Sequence, residues 1–302
     1  MEGILPLWKP KGLTSHDCVF KVRKLLRMKK VGHTGTLDPD VEGVLPICLG
    51  RATKIAEYIT NAGKVYEGEV TLGFSTTTED ASGEPVEEKG VDRDIQIHEI
   101  KDVLQSLTGE IVQTPPMYSA VKVNGKRLYE YARQGITVER PSRKVTIYEL
   151  TLHEDSMRER NGLVSFRFRV SCSKGTYIRT LAVTIGEKLG YPAHMSDLTR
   201  TASASFTKDD CVTLESLEEK LVSGALNGFI FPLEQGLSHL PSREISDKLA
   251  LKVKNGAVLP KPELWPEGEV VLLFDAKALA IYETHPEKPE SIKPVKVLRN
   301  DQ

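Results

Sequence analysis

An aspartate followed by a proline sits inside a glycine-punctuated stretch, Gly35-Thr36-Leu37-Asp38-Pro39. The proline biases Asp38 toward an extended backbone and so gives its carboxylate a defined direction. The neighbouring glycine lets a bulky molecule come close to the main chain. A carboxylate held that way is a candidate for catalysis. The same dipeptide also serves as an ordinary turn starter, and the fragment alone leaves both readings open. Metal and thiol chemistry find no matching pattern. Cys18, Cys48, Cys172 and Cys211 are separated by 30, 124 and 39 residues, and the seven histidines include no i, i+4 pair. Reduced, buried thiols are expected, with no metal and no cofactor.

The charge is near balance, −1 overall, but it is unevenly spread. Residues 21–30 (KVRKLLRMKK) hold six basic side chains and no acid, and a second basic stretch runs from Lys122 to Lys144. The acids gather in Glu79–Glu99 and toward the C-terminus. A single basic run is usually a solvated helix face. Two segregated runs point to a polyanion partner, which responds to the local field within a Debye length and not to the net charge. With 39% apolar and 27% charged residues the composition is that of a globular protein. No apolar run approaches the roughly 20 residues that span a bilayer. Met1-Glu2-Gly3-Ile4-Leu5-Pro6 lacks the basic and apolar segments of a signal peptide, so no membrane association and a cytoplasmic location are expected.

The elements that must position Asp38 are partly readable. Ile4–Trp8 reads as a strand entering the turn Lys9-Pro10-Lys11-Gly12. Thr14, with Asp17 three residues on, caps a helix whose Val19, Val22, Leu25 and Leu26 share one face. Val31–Gly50, with four glycines and two prolines in 20 residues, reads as a shaped loop. Val70, Leu72 and Phe74 alternate as in a strand, and the acidic stretch around Glu79–Asp94 reads as a surface connection. Residues 96–107 read as a helix and Asn124-Gly125 as a hairpin turn. Leu163–Cys172 alternates strictly, with Val164, Phe166, Phe168, Val170 and Cys172 on one face. Thr176–Leu189 predicts a helix stopped by Gly190. Hairpin signals outnumber βαβ signals, which predicts an α+β fold with a mixed, largely antiparallel sheet and flanking helices. A composition shift near Phe231–Pro241 marks a small C-terminal β domain. The expected division is 1–235 and 236–302.

Several segments, in order, carry a family resemblance. They are Lys9-Pro10-Lys11-Gly12-Leu13-Thr14-Ser15, Gly32-His33-Thr34-Gly35-Thr36-Leu37-Asp38-Pro39, Gly43-Val44-Leu45-Pro46 and Lys64-Val65-Tyr66. Pro115-Pro116-Met117-Tyr118-Ser119-Ala120, Leu128-Tyr129-Glu130-Tyr131-Ala132-Arg133 and Ser173-Lys174-Gly175-Thr176-Tyr177-Ile178-Arg179-Thr180 follow. Together they resemble the TruB family of bacterial tRNA pseudouridine-55 synthases over about residues 3–235. Asp40, Val41 and Glu42 depart from the family's smaller or less charged residues after the aspartate. The C-terminal segment, through Leu251–Gly256 and Val270–Asp275, resembles a PUA domain, a small RNA-binding β-barrel.

The resemblance implies a pseudouridine synthase fold, a monomer, and base flipping of the T stem-loop of tRNA. Asp38 would be the essential catalytic aspartate, acting as nucleophile at C1′ or base at C2′. Tyr66 would stack on the target uracil and Arg179 would pair with Asp38. Tyr177 and Leu198 would line the pocket, and His33 would fill the space the target base leaves. Lys9 and Pro10 form the family's structural motif. Two rivals differ in kind: an RNA-binding or RNA-folding protein on the same scaffold, and a hydrolase that releases uracil. The hydrolase would normally need two cooperating carboxylates, and Asp40 is the near neighbour available. If the cofactor-free reading holds, pseudouridine formation on prefolded tRNA survives prolonged EDTA treatment; loss of turnover restored only by Zn²⁺ would overturn it.

Overall fold

The computed structural model describes residues 1–300, which form two compact units: Met1–Ala62 together with the segment from Ser203 onward, and Gly63–Ala202. Both combine helices with mainly antiparallel sheet, as the α+β expectation requires. No helix among the described residues is long and apolar enough to cross a membrane.

In the first unit the strand Gly3–Lys9 pairs antiparallel with Glu42–Leu49, from Gly3 opposite Leu49 to Lys9 opposite Gly43. Val31–His33 pairs with the far end of the second strand on its other edge. Here the expectation of an irregular segment from Val31 to Gly50 is corrected: only about residues 34–41 are irregular. Glu42–Leu49 is buried along nearly its whole length, so its apolar run is continuous and shows no alternation. Its proline is tolerated because Pro46 faces Pro6, and the Pro46 carbonyl accepts from the Thr34 amide and hydroxyl, at 3.2 and 3.0 Å.

Ser15–Leu26 is a helix with the expected capping box: Thr14 Oγ accepts from the Asp17 amide, and Asp17 accepts from the Thr14 amide. These Thr14 bonds hold the exposed Asp17 carboxyl below its ordinary pKa. The inner face, Cys18, Val19 and Val22, packs with Leu5, Leu7, Leu45 and Ile47. The C-terminal sheet runs in the order Ser242–Glu244, Val270–Phe274, Lys277–His285, Lys288–Val297, Leu259–Pro260. It has its own core around Val253, Leu272, Leu279 and Tyr282. It also shares a second core, in which Val271, Ala278, Ile281 and Leu298 meet Ile4, Val44, Ile55 and Ile59. Lys54 donates to the carbonyls of Val297 and Leu298, and Arg299 bonds Glu234 at 2.6 Å, fastening the same contact with polar groups.

In the second unit the strands follow the order Ala193–Ser203, Lys64–Leu72, Leu163–Cys172, Arg143–Arg160, Gly109–Gln113. The helices Ile97–Ser106 and Ile178–Leu189 pack on this sheet and on each other. They cover the buried face of Leu163–Cys172, where Val164, Phe166, Phe168, Val170 and Cys172 lie. Gly190 ends the second helix in a left-handed conformation, as its sequence position predicts.

Gly186 sets how closely that helix approaches the chain after it. A Cβ there would lie 2.3 Å from the Ala193 Cβ and 2.8 Å from the Tyr191 carbonyl oxygen. Alanine is the better helix former by about 1 kcal/mol, so an isolated helix would gain from the change. In this packed position Gly186→Ala instead lowers stability, by about 1–3 kcal/mol. Urea denaturation measures the sign; a gain in stability would refute the close-packing argument.

Candidate active-site residues

In the first unit the loop bearing Asp38 is fastened on both sides of the aspartate. Ser15 Oγ accepts from the Leu37 amide at 2.9 Å and lies 3.3 Å from the Leu37 carbonyl. On the other side the Pro39 carbonyl accepts from the Gly12 amide at 2.9 Å and from Lys9 Nζ at 3.1 Å. Lys9 is fully buried, and its ammonium also donates to Pro10 O at 2.9 Å and Val41 O at 2.7 Å. A buried ammonium needs acceptors at several of its protons, and the loop's carbonyls supply them. Pro10 contributes one of these and starts the turn through Gly12. Leu37 is buried while Asp38 stays half-buried, so the carboxylate is held without being sealed off. His33 ends the short strand that precedes this loop.

Tyr66, Tyr177, Arg179 and Leu198 lie in the second unit. Tyr66 is half-buried in mid-strand, opposite Val170, and Leu198 is buried on the adjoining strand Ala193–Ser203. Tyr177 immediately precedes the helix Ile178–Leu189. Its amide donates to Gln113 Oε1 at 2.9 Å and its carbonyl accepts from Gln113 Nε2 at 3.1 Å, while the Arg143 guanidinium lies 4.9 Å from its ring centre. Arg179 is 6% exposed. Its Nη1 donates to Thr78 O and its Nη2 to Tyr118 O, both at 2.9 Å, and Nη1 is 3.6 Å from Asp80 Oδ2. Nearby in sequence to Tyr66, burial together with Arg200 and Lys174 pushes the Lys64 ammonium down to about 8.

The surface connection expected around Glu79–Asp94 is exposed over most of its length, but its first residues are not a plain surface turn. Phe74–Thr76 and Pro85–Glu88 form a hairpin, and the turn between them folds inward. Asp80 Oδ1 accepts from Thr78 Oγ, Ser82 Oγ and the Ser82 amide at 2.6, 2.6 and 3.0 Å. Sequence reading missed Asp80 because it lies among solvated acids. The available signal was the Thr-x-Asp-x-Ser spacing, in which an aspartate caps the amide two residues on. Gln113 and the Tyr118 carbonyl were also missed, since neither a neutral side chain nor a main-chain oxygen announces itself in sequence. Among the described residues no three His, Cys, Asp or Glu side chains cluster as a metal site would require.

The family model for the TruB pseudouridylate synthase N-terminal domain matches residues 23–178, and that for the tRNA pseudouridylate synthase B C-terminal domain matches 179–238. The chain belongs to the TruB family. It is 62% identical to tRNA pseudouridine synthase B of Geobacillus thermodenitrificans (strain NG80-2), covering 99% of this chain and all (100%) of that one. It is 59% identical to tRNA pseudouridine synthase B of Bacillus cytotoxicus (strain DSM 22905), covering 100% and 99%. Among solved structures, a Cbf5-Nop10-Gar1 complex matches with a TM-score of 0.72 and 29% identity, over 98% of this chain and 83% of that one. An H/ACA RNP bound to a substrate RNA containing 2'-deoxyuridine also matches with a TM-score of 0.72, at 26% identity, over 99% and 86%.

In this TruB-family chain the Lys9 contacts carry a stability expectation. Lys9→Met keeps much of the side chain's length but strips a donor from three carbonyls. It lowers stability by about 2–4 kcal/mol and opens residues 34–41 to protease. Urea melts and limited proteolysis check this; a variant as stable and as resistant as the parent would contradict the fastening role.

Proposed function

We propose that this chain is a tRNA pseudouridine synthase, an isomerase that converts the T-loop uridine at position 55 to pseudouridine, with Asp38 as its catalytic carboxylate. The family membership and the full-length similarity to relatives named tRNA pseudouridine synthase B support the reaction class. The observation that carries the assignment of Asp38 is its loop: fixed at Leu37 and Pro39, with the side chain left half-buried.

The reaction breaks the bond between uracil N1 and ribose C1′, turns the ring, and joins C5 to C1′ with loss of the C5 proton to the base's former N1 position by way of solvent. Atoms are conserved, so no redox partner and no cofactor are required. Asp38 acts at the sugar, as nucleophile at C1′ or base at C2′. The target base must first leave its stack at a cost of a few kcal/mol. Stacking on Tyr66, at about 1–3 kcal/mol, offsets most of that. Tyr177 and Leu198 line the uracil pocket, Arg179 supports the ionised carboxylate during the step, and His33 fills the gap in the T loop. Lys9 and Pro10 shape the loop. The enzyme works in the cytoplasm as a monomer. Residues 1–235 form the catalytic domain, and the PUA-like segment 236–302 adds RNA contacts.

A carboxylate screened from water tends to keep its proton, and a guanidinium acting on the same step favours the ionised form. Asp38→Asn therefore abolishes turnover. Arg179→Ala slows it by about a hundredfold or more while tRNA affinity is largely kept. Adding Arg179→Ala to Asp38→Asn costs nothing further, because the shared step is already lost. Single-turnover tritium release from tRNA labelled at uridine C5 measures all four proteins. Mass spectrometry of the product separates isomerisation, which leaves RNA mass unchanged, from uracil release, which lowers it. Wild-type speed in Asp38→Asn would end the assignment.

A further inference from the structure

The turn after Thr76 contains a residue that local backbone preference disfavours. Glu79 adopts φ 63, a left-handed conformation that side chains with a Cβ seldom take and that glycine takes freely. Strain of this kind persists only where surrounding contacts over-determine it. Here they do. The Glu79 amide donates to Thr76 O at 3.2 Å, and its carbonyl accepts from the Met195 amide at 3.0 Å. Its carboxylate points inward, and Oε2 accepts from Thr180 Oγ at 2.6 Å. Three consecutive turn residues thus grip two consecutive helix residues: Thr78 O and Asp80 Oδ2 meet Arg179, and Glu79 between them meets Thr180. A glycine would hold this turn without strain but would leave Thr180 without the bond and Arg179 with one carboxylate fewer nearby.

We propose that Glu79 is a positioning residue for Arg179: its inward carboxylate fixes the first turn of the helix Ile178–Leu189 through Thr180 and, beside Asp80, adds negative charge near the guanidinium. The proposal rests on the reading that Arg179 serves the isomerisation. Its electrostatics fit a group retained at some expense of stability. Burial raises the Glu79 carboxyl above its ordinary pKa, and the bond from Thr180 and the charges of Arg179 and Arg140 offset this only in part, while Asp80 adds to the rise. A carboxyl whose folded pKa lies above its unfolded value holds its proton more tightly when folded. Its ionised form therefore destabilises the fold at neutral pH, and that cost fades as pH falls through the folded pKa toward the unfolded one.

This yields a signature that a purely structural residue does not give. Glu79→Gln keeps the volume and an oxygen that can accept from Thr180, but removes the charge. It melts at a higher temperature than the parent at neutral pH, and the difference shrinks in acid. It also slows single-turnover tritium release from saturating uridine-labelled tRNA by about fivefold, with unchanged tRNA affinity. Glu79→Gly relieves the backbone strain, so it folds, and it slows the reaction at least as much. In the Arg179→Ala background, Glu79→Gln costs nothing further. Full speed in both Glu79 variants would overturn the proposal, as would a fivefold loss that recurs undiminished in the Arg179→Ala background. Wild-type speed in Arg179→Ala by itself would sink the reading of Arg179 first and this proposal with it, so the two failures are told apart by which variant stays fast.

Discussion

Lys9 Nζ lies among main-chain carbonyls, donating to those of Pro10, Pro39 and Val41 from a position with no solvent exposure. A surface lysine adds little to a fold, because water serves its ammonium as well as protein does. A buried one must find its partners in the protein, and the chain around it must keep the geometry that provides them. Two of the partners, Pro39 and Val41, follow Asp38 closely in the chain. The first strand, which carries Lys9, is held by Glu42–Leu49 along its full length and packed against the capped Ser15–Leu26 helix. The position of the Asp38 loop is thus set by the core of its unit, through one ammonium and one serine hydroxyl, and not by the loop's own sequence.

The second unit solves a similar problem with another buried cation. Arg179 is buried, and its donors reach two carbonyls and one carboxylate brought in by distant parts of the chain. The helix that carries it starts at a point held by both ends of the Gln113 amide through Tyr177. A guanidinium presents a rigid fork, so fixing the helix start fixes the direction of the fork. The turn from Thr76 to Ser82 has low intrinsic preference for its own shape, yet it is tied to the helix and to Met195. Local strain and buried charge are carried here by the packed sheet and helices beneath.

The basic runs fare differently from one another. Residues 21–30 lie largely on the outside of the first unit, and one member, Arg23, turns back to donate to Val31 O at 2.7 Å. Between Lys122 and Lys144 four of the cations lie over tyrosine rings. Lys126 lies over Tyr131, Arg127 and Arg133 over Tyr129, and Arg143 over Tyr177. Such pairs keep long side chains ordered on the surface while leaving charge available to phosphates. A net charge near zero is therefore compatible with two surfaces of strong local field.

Where a segment has one buried and one open face, its period alone specified the element. Leu163–Cys172 followed from its alternation, and the helix expected over Thr176–Leu189 and found over Ile178–Leu189 had its end marked by Gly190, because each signal is local to the chain. The capping box at Thr14 was legible for the same reason. Glu42–Leu49 was not: buried on both faces, it has no alternation, and its glycine and proline imitate a loop. The inward turn at Glu79 and Asp80 was hidden as well, since acids in a row look solvated until distant residues, Thr180 and Arg179, supply their partners. Nor could residue order show that the C-terminal sheet shares a core with the first strands, because that contact joins residues more than 200 positions apart, such as Ile4 and Ile281. Side-chain period and capping act over a few residues and can be read from them; burial and charge pairing act through space, and only the folded chain brings those residues within reach.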